Sequence, residues 1–219
     1  MATQMKIDFV SDVSCPWCII GLKALEQAVD KVGDDIAVAM TFQPFELNPQ
    51  MGPEGQDLFE HLAQKYGSTV EQSEQNREAI RARGEDLGFT FRMDKLERIY
   101  NTFDTHRLLH FAALKGCQTE LKHALFDAYF TDGENPGDHE VLLRLAAQVG
   151  LDVAETREML ASDTYTTDVR QQEQFYQNQG IRAVPAVIIN DRHLIEGGHP
   201  VEVFERALRQ IAEQGSEPA

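Results

Sequence analysis

The stretch SDVSCPWCIIG, Ser11 to Gly21, decides how the rest of the chain is read. Two periodicities meet there. Before it, Lys6 to Val13 alternates Ile7 and Phe9 with polar residues, the period of a short strand. After it, Ile19, Leu22, Leu25, Ala28, Val29 and Val32 recur at helical spacing from Pro16 until Gly33. Cys15 therefore falls at the N-cap of the predicted helix, where unpaired backbone N–H groups and the positive end of the helix dipole favour an anion. For a cysteine that anion is the thiolate, the nucleophilic form. Pro16 suits the first helical position, since its φ is preset and its missing N–H would have no partner there. Cys18 follows one turn later, within reach of Cys15 for a small disulfide. The pair, supported by Pro16 and Trp17, reads as a dithiol in which Cys15 attacks and Cys18 resolves the mixed disulfide. Two other readings stand beside it. One is half a zinc site, whose other half is missing because Cys117 is alone; the other is two inert core cysteines. The strand before, the helix after and Pro16 weigh against both.

Working outward, Ile36 to Phe42 is strand-like and Pro44 ends it, so the first 45 residues form a strand–helix–strand unit. From Gln56 to Gln177 the pattern is helix after helix with no strand. Apolar residues recur at helical spacing over 58–66, 70–86, 95–115, 120–130 and 139–149, punctuated by glycines. A more polar helix follows over 154–177, with a break near Ser162. Strand pattern returns at Ala186 to Asn190, a hairpin turn at Asn190-Asp191 leads to a partner over His193 to Glu196, and Val201 to Ile211 closes as an amphipathic helix. The order β-α-β, helical block, β-β-α predicts an α/β fold. Residues 1–50 and 179–219 would be its two halves, and 51–178 an all-helical insertion domain. The last five residues are expected to fray.

Composition narrows the function. At 219 residues, 42% hydrophobic and 26% charged, the chain is long enough to bury a core without disulfide staples. Its 36 acidic against 20 basic residues leave a net charge of −16, which repels phosphate backbones and anionic headgroups. Nucleic-acid and membrane partners are therefore not expected. Met1 to Val10 has no signal-peptide core, and no stretch approaches the ~20 apolar residues of a span. A cytoplasmic location follows as the expectation, and there three cysteines point to chemistry or metal binding rather than structural bridges.

One further feature, Val184-Pro185 directly before the late strand, is weak by itself. It gains meaning from a resemblance. SDVSCPWCIIG (11–21), FQPFELNP (42–49), NTFDTHRLL (101–109), ALFDAYF (124–130), GIRAVPAVIIN (180–190) and GGHPVEVF (197–204) together resemble the DsbA-like oxidoreductases, and within them the cytosolic group similar to FrnE. The resemblance covers nearly the whole chain in the same order. It implies a thioredoxin-like fold carrying a helical insertion, with Cys15 as nucleophile, Cys18 as resolving thiol and Pro185 as a cis-proline. The loop at Val184 would face the dithiol and offer its backbone to an extended substrate. In periplasmic relatives a His stands at Trp17 and helps stabilise the reduced thiolate, so a strongly oxidising potential is not implied here. Cys117 has no partner for a second redox centre.

The same resemblance implies that Asn101–Arg107 faces the dithiol, so that His106 tunes the thiolate. His106 and His110, four apart, could share a helix face, but without a third ligand they read as groove-lining or structural. Phe45 and Trp17 would form an apolar rim for substrate, unless Phe45 is simply core. His199 occupies a loop where relatives contact glutathione, unless it is an ordinary loop histidine. No metal or organic cofactor is expected, and the partners are protein or peptide thiols and disulfides, or glutathione; a homodimer is compatible. Two competing functions remain. A glutathione-dependent isomerase or transferase, of the kappa-class or 2-hydroxychromene-2-carboxylate isomerase type, generally has Ser at the Cys15 position. A chaperone-like peptide-binding protein would not need the dithiol.

Overall fold

Strand β1 (Thr3–Ser11) is the axis on which everything else is hung, because both of its faces are covered. Met5, Ile7 and Phe9 point into the main core, and Val10 points into a second cluster on the other face. In the computed structural model, which describes residues 2–215, β1 starts at Thr3 rather than Lys6 and stops at Ser11 rather than Val13. It stops there because the chain turns: the Asp12 carbonyl accepts the Cys15 N–H at 3.2 Å. Of the last five residues, expected to fray, 216–219 lie outside the described chain.

Helix α1 (Pro16–Val32) leads to β2 (Ile36–Pro44), which pairs parallel with β1 and sets Phe9 beside Phe42, their rings edge-on at 5.8 Å. Late in the chain β5 (Ala186–Ile189) joins the other side of β1 antiparallel, and β6 (His193–Glu196) pairs with β5. The sheet order is β2-β1-β5-β6. Asn190 and Asp191 make the expected hairpin turn with left-handed φ of 53° and 55°, and the Arg192 N–H closes it onto the Ile189 carbonyl at 3.1 Å before His193 pairs with Ile189. Helix α9 (Val201–Gly215) packs with α1, and Leu25, Phe204 and Leu208 share the core with Ile7, Phe9 and Val187. The two halves of the α/β unit therefore bury one another, as the order of predicted elements requires.

Residues between β2 and β5 form helices α2 (Leu58–Tyr66), α3 (Val70–Asp86), α4 (Phe103–Lys115), α5 (Gln118–Phe126), α6 (His139–Gln148), α7 (Val153–Leu160) and α8 (Thr166–Asn178). The expectation of an all-helical block needs one correction: β3 (Gln56–Asp57) pairs with β4 (Arg98–Ile99). The helix expected from Lys95 begins only at Phe103. Leu96, Ile99 and Phe103 imitate helical spacing, but the Leu58 N–H donates to the Glu97 carbonyl and the Asn101 side chain accepts the Phe103 N–H, which sets the helix start. The helix expected to run to Phe130 turns into a π-turn over Asp127–Thr131, which lets Phe126, Tyr129 and Phe130 all point inward. The break near Ser162 is present. There Arg107, itself buried, donates to the Met159, Ser162 and Thr164 carbonyls and to Asp104, tying off α7 and seating the turn into α8.

β2 is an edge strand, and the helical block closes it. The Gln118 side chain accepts the Phe42 N–H at 2.9 Å and donates to the Phe42 carbonyl at 2.9 Å, standing in for a neighbouring strand. No helix among the described residues is long and apolar enough to cross a membrane.

Candidate active site

Cys15 is the N-cap of α1, with extended φ −93° and ψ 112°, and Pro16 opens the helix. The Cys18 N–H donates to the Cys15 carbonyl at 3.0 Å, so the chain winds into the first turn within one residue pair. Both cysteines are free thiols; Cys15 retains 4% exposure while Cys18 has none. Only Cys15 can therefore be met from outside. Its sulfur lies 3.7 Å from the Val184 carbonyl, which accepts the thiol hydrogen, and the Val184–Pro185 peptide bond is cis. The Pro185 loop sits this close because Gly21 has no side chain: a Cβ there would stand 3.0 Å from Pro185 Cγ. Gly198 allows the same intimacy on the next loop, where a Cβ would stand 3.1 Å from the Trp17 carbonyl.

Beneath the thiols lies a polar interior. Asp12 is fully buried; its Oδ2 accepts the Leu47 N–H at 2.7 Å, and its Oδ1 accepts the Ser14 N–H at 3.3 Å and faces His106 Nε2 at 3.6 Å. Burial pushes the Asp12 carboxyl up, but His106 and these two N–H donors outweigh it and hold the group below the ordinary carboxylate range. Burial raises the Cys18 thiol well above its ordinary value and the neighbouring Cys15 adds to this, while the positive charge of Lys122 and a backbone hydrogen bond from Asp12 oppose it. Cys18 is thus a protonated thiol at neutral pH. Next to this set, Glu46 and Glu173 are both buried and share Arg170, which also stacks on the Phe103 ring at 3.7 Å.

The structure places the residues singled out in the sequence as follows. Trp17 is 42% exposed beside Cys15. Phe45 is half-buried in the cluster of Val10, Tyr176, Ile181 and Ala186, so it packs in the interior rather than forming a rim with Trp17. His106 approaches Asp12 rather than Cys15, and His110 turns its ring to Tyr165 at 4.9 Å. His199, half-buried, packs edge-on against Phe204 next to the Gly198 contact. Three residues escaped the sequence reading. Asp12 lies inside the quoted stretch, but a short acid before a helix reads as turn chemistry. Tyr66, 61% exposed at the end of α2, feels the charge of Cys15. Lys122 has no exposed surface at all; its only signal is a lysine on the apolar face of Leu121, Leu125 and Phe126.

The chain's overall pattern has known counterparts. A family model described as the DSBA-like thioredoxin domain matches residues 6–209. The chain belongs to that family. The uncharacterized protein YwbO of Bacillus subtilis is 31% identical over 210 residues, spanning 95% of this chain and 96% of its own. The crystal structure of a probable DsbA oxidoreductase from Streptomyces coelicolor is 31% identical and superposes with a TM-score of 0.91, covering 98% of this chain and 92% of that one. The cytosolic disulfide reductase DsbM from Pseudomonas aeruginosa, solved with GSH, shares the fold at 16% identity and a TM-score of 0.66, covering 95% and 99%. This DSBA-like chain has the thioredoxin-like fold with its helical insertion. Its Cys15 and Cys18 stand where a Cys-x-x-Cys dithiol can close.

Proposed function

We propose that the chain is a thiol–disulfide oxidoreductase or isomerase that exchanges disulfides with protein, peptide or glutathione substrates through Cys15 and Cys18, with no metal or organic cofactor. The observation that carries this is the asymmetry of the pair: Cys15 reaches solvent at the start of α1 beside the Val184 carbonyl, and Cys18 is sealed off. A substrate disulfide arrives past the exposed rings of Trp17 and Tyr66. The Cys15 thiolate attacks one sulfur, and the other leaves as a thiolate with the bonding pair. Cys18 then loses its proton and attacks the Cys15 sulfur, expelling the second substrate thiolate. The enzyme pair is oxidised and the substrate reduced by two electrons; the reverse sequence oxidises a dithiol. An extended peptide would pair with the Val184 backbone.

Glutathione is the proposed recycling partner; that the cytosolic reductase DsbM was solved with GSH supports this reading, and that DsbM is cytosolic supports a cytoplasmic location. Residues 51–178 would act as a separate domain that caps the dithiol and limits substrate size. The test is a glutathione redox titration followed by Trp17 fluorescence and thiol trapping. A reversible two-electron transition that disappears in Cys15→Ser is expected, and Cys18→Ser should accumulate a mixed disulfide on Cys15. A stable one-to-one glutathione adduct on wild-type Cys15 with no such transition would instead favour a glutathione-dependent isomerase or transferase.

A further inference from the structure

Where the loop after β2 meets helix α8, two acids are buried together with too little to neutralise them. The Glu46 side chain, just past β2, is 2% exposed, and that of Glu173, on α8, is 7% exposed. Both carboxylates accept from one atom, Nη1 of Arg170, the Glu173 bond at 2.8 Å. The Arg170 side chain is itself 45% exposed and its guanidinium stacks on Phe103, so its charge is shared with water and an aromatic face. The remaining oxygen of each carboxyl, Oε1, is buried and has no hydrogen-bond partner. Such oxygens are rare in folded proteins, and an ionised one without a donor is the costliest kind. Around the pair stand Arg170 on α8 and His106 on α4. Asp12 and Lys65 reach the next residue, holding the N–H and the carbonyl of Leu47. Asp104, beside Phe103, is taken up by Arg107 and His139.

We propose that Glu46 and Glu173 share one proton at neutral pH, and that this proton is the latch holding α8 to the loop after β2. Two ionised carboxylates on one guanidinium nitrogen would leave a negative charge buried. Two neutral ones would leave the guanidinium without a counter-charge. One proton for the pair leaves a single carboxylate for Arg170 and makes the other carboxyl a donor where only acceptors stood. Burial pushes the Glu46 carboxyl up, the Glu173 charge adds to this, and Arg170 and His106 offset only part of it. The two groups titrate as a unit. Loss of the proton sets like charges side by side across the joint, so the latch weakens as pH rises. α8 runs on into the segment that ends at the cis Val184–Pro185 bond, while the loop is fastened by Asp12 through Leu47. The latch therefore ties together two segments that reach the dithiol, and it takes no part in thiol chemistry.

Urea unfolding of the wild type and Glu46→Gln across a pH series tests this. A carboxyl raised in the folded state contributes stability below the ordinary glutamate value and loses it as pH rises through the raised one. The amide introduced by Glu46→Gln is a neutral donor at every pH. Its urea midpoint should therefore match or fall below that of the wild type near about pH 4.5 and exceed it at about pH 8, the two slopes differing by about one proton. Glu173→Gln should behave in the same way and keeps the test open should Glu46→Gln fail to fold. Infrared spectroscopy at neutral pH gives a second readout: the carbonyl stretch of a protonated carboxyl, present in the wild type, should vanish in both variants. At about pH 8 the α8 amides should exchange with deuterium severalfold faster in the wild type than in Glu46→Gln, their intrinsic rates being the same. Parallel pH curves for the wild type and the variants, with no protonated-carboxyl band, would overturn the proposal, because both carboxylates would then be ionised on Arg170. A band that survives in both variants places the proton elsewhere and overturns it equally. Equal exchange of α8 would show that the proton does not hold the helix, and the latch would fall.

Discussion

Asp12 shows how much one buried side chain can organise. Its carboxylate holds the turn between β1 and α1 through Ser14 and fastens the chain after β2 through Leu47. Both donors are backbone groups with no other outlet, so Asp12→Asn, which keeps the shape but loses the charge, should cost about 1–3 kcal/mol at pH 7 in urea denaturation. The sign with pH is fixed by the depressed native value. The stability that the charge contributes is present above the ordinary carboxylate range and is lost as pH falls through and below it. The gap between wild type and Asp12→Asn should therefore be undiminished at pH 5 and shrink toward pH 3. A gap already closed at pH 5 would mean that the buried carboxyl is held protonated instead.

At the scale of elements, the informative joint is where α5 meets β2. Gln118 presents an amide to Phe42 in the geometry of a strand neighbour, so an otherwise open sheet edge is closed by a side chain. Gln118→Ala leaves both Phe42 backbone groups without that partner. The expected loss is about 1–3 kcal/mol, and the Phe42 amide should exchange with deuterium markedly faster while the β1 amides stay protected. Equal protection in the variant would show that packing alone seals the edge. Element types were largely legible in the sequence, and their ends were not. The strand–helix junction at Cys15, the hairpin at Asn190-Asp191 and the break near Ser162 each had local causes in turn and helix-end chemistry. The start of α4 has a local cap in Asn101, but Leu96 and Ile99 before it fit a helix as well as they fit the extended chain around β4, so the pattern ran the helix too early. The π-turn at Asp127–Thr131 likewise depends on Phe126, Tyr129 and Phe130 all finding space inside.

For the molecule as a whole, the net charge of −16 sets how partners approach. The disulfide of glutathione carries net negative charge, so its encounter with this surface is opposed, and salt should relieve the opposition. Raising ionic strength from ~10 mM to ~150 mM shortens the screening length from about 30 Å to about 8 Å. The bimolecular rate with oxidised glutathione should then rise severalfold, while that with a lysine-rich peptide disulfide should fall, both measured by stopped-flow Trp17 fluorescence. A salt-independent rate for both would mean that the field at Cys15 is local and unrelated to the surface charge.

The sequence by itself determined the α/β order, the dithiol at the start of α1 and the likeness to DSBA-like proteins, because each is written in neighbouring residues: periodicity, a helix-start proline, two cysteines one turn apart. Only the tertiary structure decided what surrounds the dithiol. Asp12, His106, Val184 and Lys122 come from four separate segments, and their meeting is the result of β1 being buried on both faces between α1 and the helical block. The sequence pattern left Phe45 open between rim and core and Lys122 unnoticed on an apolar helix face; the fold packs Phe45 against Val10 and Tyr176 and buries Lys122 completely. The physical reason is that local pattern records which residues avoid water along one element, whereas the partners of a buried charge are set by which elements pack against it.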